Sequence, residues 1–208
     1  MAISTYSELQ TAVANWLDRD DLTARIPEFI SLAEARFNRD LRIRAMETKQ
    51  TASTVANQRN YALPTNYLQM RNFQVNGTPI RILEYVTPEM YDRMWGGTTT
   101  GTPYYYTIIA NEFQLGPTPA AVMTIEMLFY KRFDSLSSTT TTNWVLTNAP
   151  DIYLYAALME AEAFLVNDAR LPTWSAGYQR GIESLQYADA QDRHSGSAMR
   201  IMNTSGNP

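Results

Sequence analysis

Four glutamates, Glu84, Glu89, Glu112 and Glu126, lie in the part of the sequence richest in Tyr, Thr, Val and Ile, near the run Tyr104-Tyr105-Tyr106. Glycoside hydrolysis needs two carboxyl groups across a cleft, at no fixed sequence spacing, and tyrosine rings stack on sugars. This constellation therefore defines one chemical reading, a module that binds or cleaves cell-wall glycan. Glutamates on the wet face of a half-buried sheet give the same pattern without any chemistry, and that is their commoner setting. The other ingredients of catalysis are absent from the sequence. The one histidine, His194, falls in a predicted tail, where neither a triad nor a metal site is held rigid. No phosphate-cradling glycine loop and no G-x-S-x-G nucleophile elbow occurs. Asp18, Asp20 and Asp21 lack the glycine and distal glutamate of a calcium loop and read as a solvated turn. With Cys 0 there is no thiolate ligand, disulfide or cysteine nucleophile. The expectation is a protein that is not an enzyme, with no catalytic residues, metal or cofactor.

Arg36, Arg39, Arg42 and Arg44 form the densest basic stretch. Gripping nucleic acid through its phosphates takes a basic surface, and single strands also need aromatic platforms. Asp40 and Glu47 dilute this stretch, and the whole chain carries a net charge of −4 with pI ≈ 5.1. DNA that merely passes the protein remains compatible with that balance. Of the 17 basic residues only Lys49 and Lys131 are lysines, while Tyr reaches 13 and Met 10. Desolvated protein contacts favour Arg, aromatics and Met over Lys, so the slant points to a subunit of an assembly. The four arginines are accordingly candidates for a subunit interface.

Which elements would position these residues follows from periodicity. At 208 residues the chain can bury roughly 70% of its unfolded surface without disulfide staples. No apolar run long enough to span a bilayer occurs, and the first twenty residues lack the apolar core of a signal peptide, so a soluble, unprocessed chain with no membrane contact is expected. Thr5-Tyr6-Ser7-Glu8 is a capping box that opens a first helix, with Leu9, Ala12, Val13, Trp16 and Leu17 as its apolar stripe. Pro27 starts a second helix over 26–44, whose Ile26, Phe29, Ile30, Ala33, Phe37 and Leu41 share one face. On it Asp40 and Arg44 are spaced as an i, i+4 ion pair. After Met46 the period falls to about 2, predicting strands over 48–55, 67–75, 78–84, 104–110, 112–115 and 122–131. Asn76-Gly77 signals a type I′ hairpin, and Asn111 marks a second tight turn. Thr87-Pro88-Glu89 caps a short helix to about Met94.

A Ser/Thr-rich stretch, 134–147, reads as an exposed connection anchored by Trp144-Val145-Leu146. Asn148 and Pro150 then open a helix over 151–166 that is apolar nearly all round, the mark of a buried helix. A last helix runs from near Pro172 to about Asp192, with Trp174, Tyr178, Ile182, Leu185 and Ala188 on one face. The fold class is α+β: an antiparallel helical bundle from 1–46 and 148–192, a β-rich insertion at 47–147, and a flexible C-terminal arm at 193–208. That arm is polar, yet it carries Met199, Ile201 and Met202, which suit docking on another subunit.

The order of these blocks resembles the head-to-tail adaptor (connector) proteins of tailed bacteriophages, of the podovirus tail-accessory kind. The resemblance rests on IPEFISLAEARFNRDLR, on YALPTNYLQMRNFQVNG with PIRILEYVTPEMYDRM, on GTPYYYTIIANEFQLGPTPA followed by IEMLFYKRF, and on NAPDIYLYAALMEAEAFLVNDARLPTW. It implies a structural virion protein at the head-tail junction, made in the host cytoplasm. Such proteins form a dodecameric ring beneath the portal protein, with tail (nozzle or tail fibre) proteins beyond and DNA passing the lumen unrecognised. On this reading Met199, Ile201 and Met202 anchor the arm on the portal or a neighbouring subunit. The resemblance carries over no catalytic set.

Overall fold

A computed structural model describes residues 3–19, 21–96, 99–165 and 169–194. The chain is α+β and divides into two compact units: Met1–Ala45 with Phe133–Pro208, and Met46–Arg132.

The first unit is helical. Its α1 (Tyr6–Leu17) opens on the capping box: the Glu8 N–H donates to Thr5 Oγ1 at 3.3 Å, and the Thr5 N–H donates to Glu8 Oε2 at 2.9 Å. It closes at Asp18, whose φ of 55° breaks the helix. Next comes α2 (Ile26–Asp40), with Pro27 in its first turn and Ile26, Phe29, Ile30, Ala33 and Phe37 buried. The expected helix to residue 44 stops four residues early. Leu41 turns to extended backbone (φ −101°, ψ 136°), and both Leu41 and Ile43 are buried. Alternate burial there outweighs one more helical turn, which would have carried Ile43 off the apolar stripe. The Arg42 guanidinium closes the end by donating to the Asn38 carbonyl at 2.8 Å. A 3₁₀ turn, Arg44–Met46, follows.

Three more helices belong to this unit: α4 (Trp144–Asn148), α5 (Pro150–Leu165) and α6 (Leu171–His194). The expected burial of α5 is observed along most of its length, with Asp151 and Phe164 exposed near its two ends, and α1, α2, α4 and α6 all contact it. Gly177 and Gly181 permit the close approach of α6. A Cβ at Gly181 would meet Ile152 Cγ1 at 2.7 Å, and one at Gly177 would touch the Tyr155 ring at 3.0 Å. Residues 133–147, expected with the strands, group instead with the helices. The reason is a polar anchor. Glu34, buried on α2, accepts the Leu136 N–H at 2.7 Å and the Tyr153 hydroxyl at 3.2 Å. Asn143 caps α4 through the Leu146 N–H at 3.0 Å, and its amide donates to the Tyr153 oxygen at 2.6 Å. Leu136, Val145 and Leu146 are buried as a result.

The second unit holds the strands β1 (Glu47–Ser53), β2 (Asn60–Ala62), β3 (Tyr67–Val75), β4 (Arg81–Ile82), β5 (Glu84–Tyr85), β6 (Thr100–Gly101), β7 (Tyr105–Ile109), β8 (Glu112–Gly116), β9 (Thr118–Pro119) and β10 (Thr124–Lys131), with α3 (Pro88–Trp95) between β5 and β6. Two four-stranded sheets, ordered β1-β10-β3-β4 and β2-β8-β7-β5, share one core of Phe73, Val75, Leu83, Tyr106, Phe113, Leu115, Ile125, Met127 and Phe129. Inward positions alternate along β3 and β10, as a period of 2 requires. The stretch 78–84, expected as one strand, instead crosses between sheets at buried Leu83: β4 pairs antiparallel with β3, and β5 parallel with β7. Asn76-Gly77 does not make a two-residue hairpin, because Val75 pairs with Arg81 across the longer loop 76–80. Pro79 has no N–H to offer a ladder. The tight turn near Asn111 is present, and Ala110 takes its positive φ of 53°.

Candidate functional site

The four arginines separate by role. Arg36 pairs with Glu160 of α5 and stands 5.9 Å from the Tyr178 ring centroid. The Tyr178 hydroxyl donates to Asp40 at 2.8 Å, and burial together with that carboxylate raises its pKa. This set clamps α2, α5 and α6 together. Arg42 caps α2, as above. Arg44 does not pair with Asp40: its backbone N–H donates to Asp189 at 2.7 Å, and its guanidinium reaches Asp192 at 3.4 Å. Arg193 closes the seam with Asp189 at 2.8 Å. Arg39 is exposed and makes no ion pair among the described residues.

The seam borders a cleft of ≈ 420 Å³ lined by Ile43, Arg44, Ala45, Trp144, Leu185, Ala188, Asp189 and Asp192. Trp144 lies nearly parallel to Phe133, 6.0 Å away. Sequence reasoning named Trp144 only as an anchor, since nothing local shows that residues 43–45 and the end of α6 converge on it. Met199, Ile201 and Met202 lie outside the described residues. So does Asp20. His194 is the last residue of α6 rather than part of a tail. Asp18 ends α1, and Asp21 pairs with Arg19 at 2.7 Å.

Other apolar groups reach the surface of each unit. On the helices Trp16 (45%), Leu32 (51%) and Phe164 (54%) are exposed. Trp16 meets Trp174 at 5.3 Å, and Phe164 meets Phe29 at 5.6 Å, so each aromatic is held by a partner beneath it. In the strand-rich unit Ile80, Ile82, Tyr85 and Tyr104 are exposed, and the Arg81 guanidinium lies 4.3 Å from the Tyr104 ring centroid. Rigid aromatics and stacked arginines suit protein contacts.

The sheet glutamates do not show the chemistry of a general acid. Glu126 is held below its ordinary range, chiefly by its bond to Lys49 at 2.9 Å, whereas a general acid must be raised. Glu112 accepts from the Asn60 amide at 3.0 Å. Glu84 and Glu89 are exposed. Among the described residues no cluster of His, Asp and Glu could hold a metal ion, and no helix is long and apolar enough to cross a membrane.

The model of the SU10 adaptor protein family matches residues 4–202, spanning both units. No curated protein matches the chain.

Proposed function

Because this chain belongs to the SU10 adaptor protein family, we propose that it assembles as a dodecameric ring between the portal protein and the tail of a bacteriophage. Membership makes the chain a structural phage adaptor, of a family that is not an enzyme family. The finer reading is our own. The helical unit lines a channel through which DNA passes without sequence recognition, which suits a net charge of −4. The strand-rich unit faces nozzle or tail-fibre proteins, and the particle is of the podovirus tail-accessory kind. Exposed Leu32, Phe164 and Arg39 serve as subunit contacts, since Arg36 and Arg44 have partners within the chain. Met199, Ile201 and Met202 anchor the C-terminal arm on the portal.

The family match carries this reading, because it covers both units and continues past α6 to Met202. Mass measurement of the purified chain, alone and with portal rings, tests it: a complex with twelve copies per portal is expected. A chain that never binds a portal refutes the portal reading. Deleting residues 195–208 should abolish capture while leaving far-UV circular dichroism unchanged, and a deleted chain that still binds removes the arm's role.

A further inference from the structure

Asn76-Gly77 is the chain's only Asn-Gly pair, and it does not form the hairpin turn that its sequence signals. The Asn76 N–H is held to β10, donating to the Thr124 carbonyl at 2.8 Å, and the following Gly77, Thr78, Pro79 and Ile80 are exposed. The Gly77 N–H donates no hydrogen bond among the described residues. The backbone does not require glycine there: its φ lies outside the left-handed region, and an added Cβ would come only to ordinary contact, 3.5 Å from the Pro79 carbonyl. What the missing side chain does leave open is access to the Gly77 amide nitrogen.

The Asn76 side chain is gripped at both ends. Gln74 Nε2 donates to its Oδ1 at 2.9 Å, and its Nδ2 donates to Glu126 Oε2 at 3.3 Å. A carboxylate only accepts, so it fixes which end of the amide is nitrogen. Gln74 Nε2 also lies 3.4 Å from Glu126 Oε1, and Lys49 pairs with that same oxygen at 2.9 Å. A donor on the amide oxygen draws electron density from Cγ and stabilises the negative charge that the oxygen gains when a nucleophile adds. A polarised amide thus stands beside an exposed, unhindered backbone nitrogen whose hydrogen is unengaged among the described residues.

We propose that Asn76 is a modification site at which the fold promotes spontaneous deamidation. Solvent base removes the Gly77 amide proton, and the nitrogen attacks Asn76 Cγ, closing a succinimide ring. The Cγ–Nδ2 bond then breaks, and Nδ2 leaves as ammonia with a proton returned by solvent. Water opens the ring at either carbonyl and gives aspartate or isoaspartate. The net change is amide plus water to carboxylic acid plus ammonia, with nothing oxidised or reduced. The product loses the donor to Glu126 and sets a second carboxylate beside it, with Lys49 left to offset both. The reaction needs this loop alone and no partner, so the added charge accumulates with the age of the protein.

The full chain is incubated at mildly alkaline pH, folded and separately in urea, and then cut with trypsin after Arg71 and Arg81. Mass spectrometry of peptide 72–81 reads the gain in mass at Asn76, and chromatography separates aspartate from isoaspartate. In the folded chain Asn76 should convert faster than every other asparagine, and at least as fast as it does in urea. Gln74→Leu should slow the folded chain about fivefold, the worth of one hydrogen bond, and leave the rate in urea unchanged. Gly77→Ala, which the loop has room for, should bring Asn76 down to the rate of the other asparagines. An Asn76 that stays intact in the folded chain while it converts in urea overturns the proposal, because the fold then protects it. So does a Gln74→Leu chain with unaltered far-UV circular dichroism that deamidates at the original rate.

Discussion

Replacing Gly181 with alanine tests the close approach of α5 and α6 that organises the helical unit. The new Cβ would stand 2.7 Å from Ile152 Cγ1 and 3.4 Å from both Ile152 Cδ1 and Asp151 Oδ2. Carbon atoms rest at about 3.5–4.0 Å. The Ile152 side chain must therefore give by roughly 1 Å, and at 1% exposure it has nowhere open to go. Overpacking of this kind costs about 1–3 kcal/mol. Against it stands the intrinsic preference of a helix for alanine over glycine, about 1 kcal/mol. The net expectation is a destabilisation of about 1 kcal/mol, or about 2–4 °C in Tm for a chain of this size. The decisive measurement is a double-mutant cycle in urea, followed by circular dichroism. Ile152→Ala alone should cost about 2–5 kcal/mol. In that background the clashing atoms are gone and a cavity waits, so Gly181→Ala should become stabilising, with a coupling of about 1–3 kcal/mol. A Gly181→Ala chain that gains stability equally in both backgrounds refutes the close-approach reasoning.

Two carboxylates should titrate with opposite effect. Burial raises Glu34 above its ordinary 4.5, so its neutral form favours the fold, and the stability it contributes below that value is lost as pH rises through the raised pKa; Glu34→Gln should flatten this part of the urea-midpoint profile. Glu8 is lowered to about 2, first by the Ser4 hydroxyl, so its contribution is present above 4.5 and lost as pH falls toward 2; Glu8→Gln should remove that acid dependence. Thr107 is fully buried and its hydroxyl has no hydrogen-bond partner among the described residues, so Thr107→Val should raise stability by about 1 kcal/mol in the same assay. Gly116→Ala would put a Cβ 2.8 Å from the Tyr91 ring and 2.9 Å from that of Trp95. It should lift α3, break the 2.8 Å bond from the Tyr91 hydroxyl to the Leu115 carbonyl, and cost about 1–3 kcal/mol, with a change in tryptophan emission.

Local chemistry was enough for the starts of elements. The Thr5 to Glu8 box, Pro27 and Thr87-Pro88 act through backbone groups only a few residues away, and each opens the helix it signals. Burial patterns were equally legible where apolar spacing decides: the nearly all-round apolar surface of α5, and the alternation of Phe73 with Val75 and of Ile125, Met127 and Phe129. The order of these blocks was also sufficient to carry the likeness to phage adaptors.

Tertiary structure decided wherever two local preferences competed or distant residues met. The end of α2 is one case: spacing alone favours helix through Arg44, but burying both Leu41 and Ile43 requires extended chain. That change moved Arg42 and Arg44 off the helix, turning one into a cap and the other into a partner of α6. The stretch 134–147 reads as a solvated connection because serine and threonine dominate it. A single buried carboxylate, Glu34, more than a hundred residues away in sequence, supplies the acceptor that fixes it. The cleft beside Trp144 has the same origin. Its walls come from three separate segments, and sequence periodicity relates only residues that share an element.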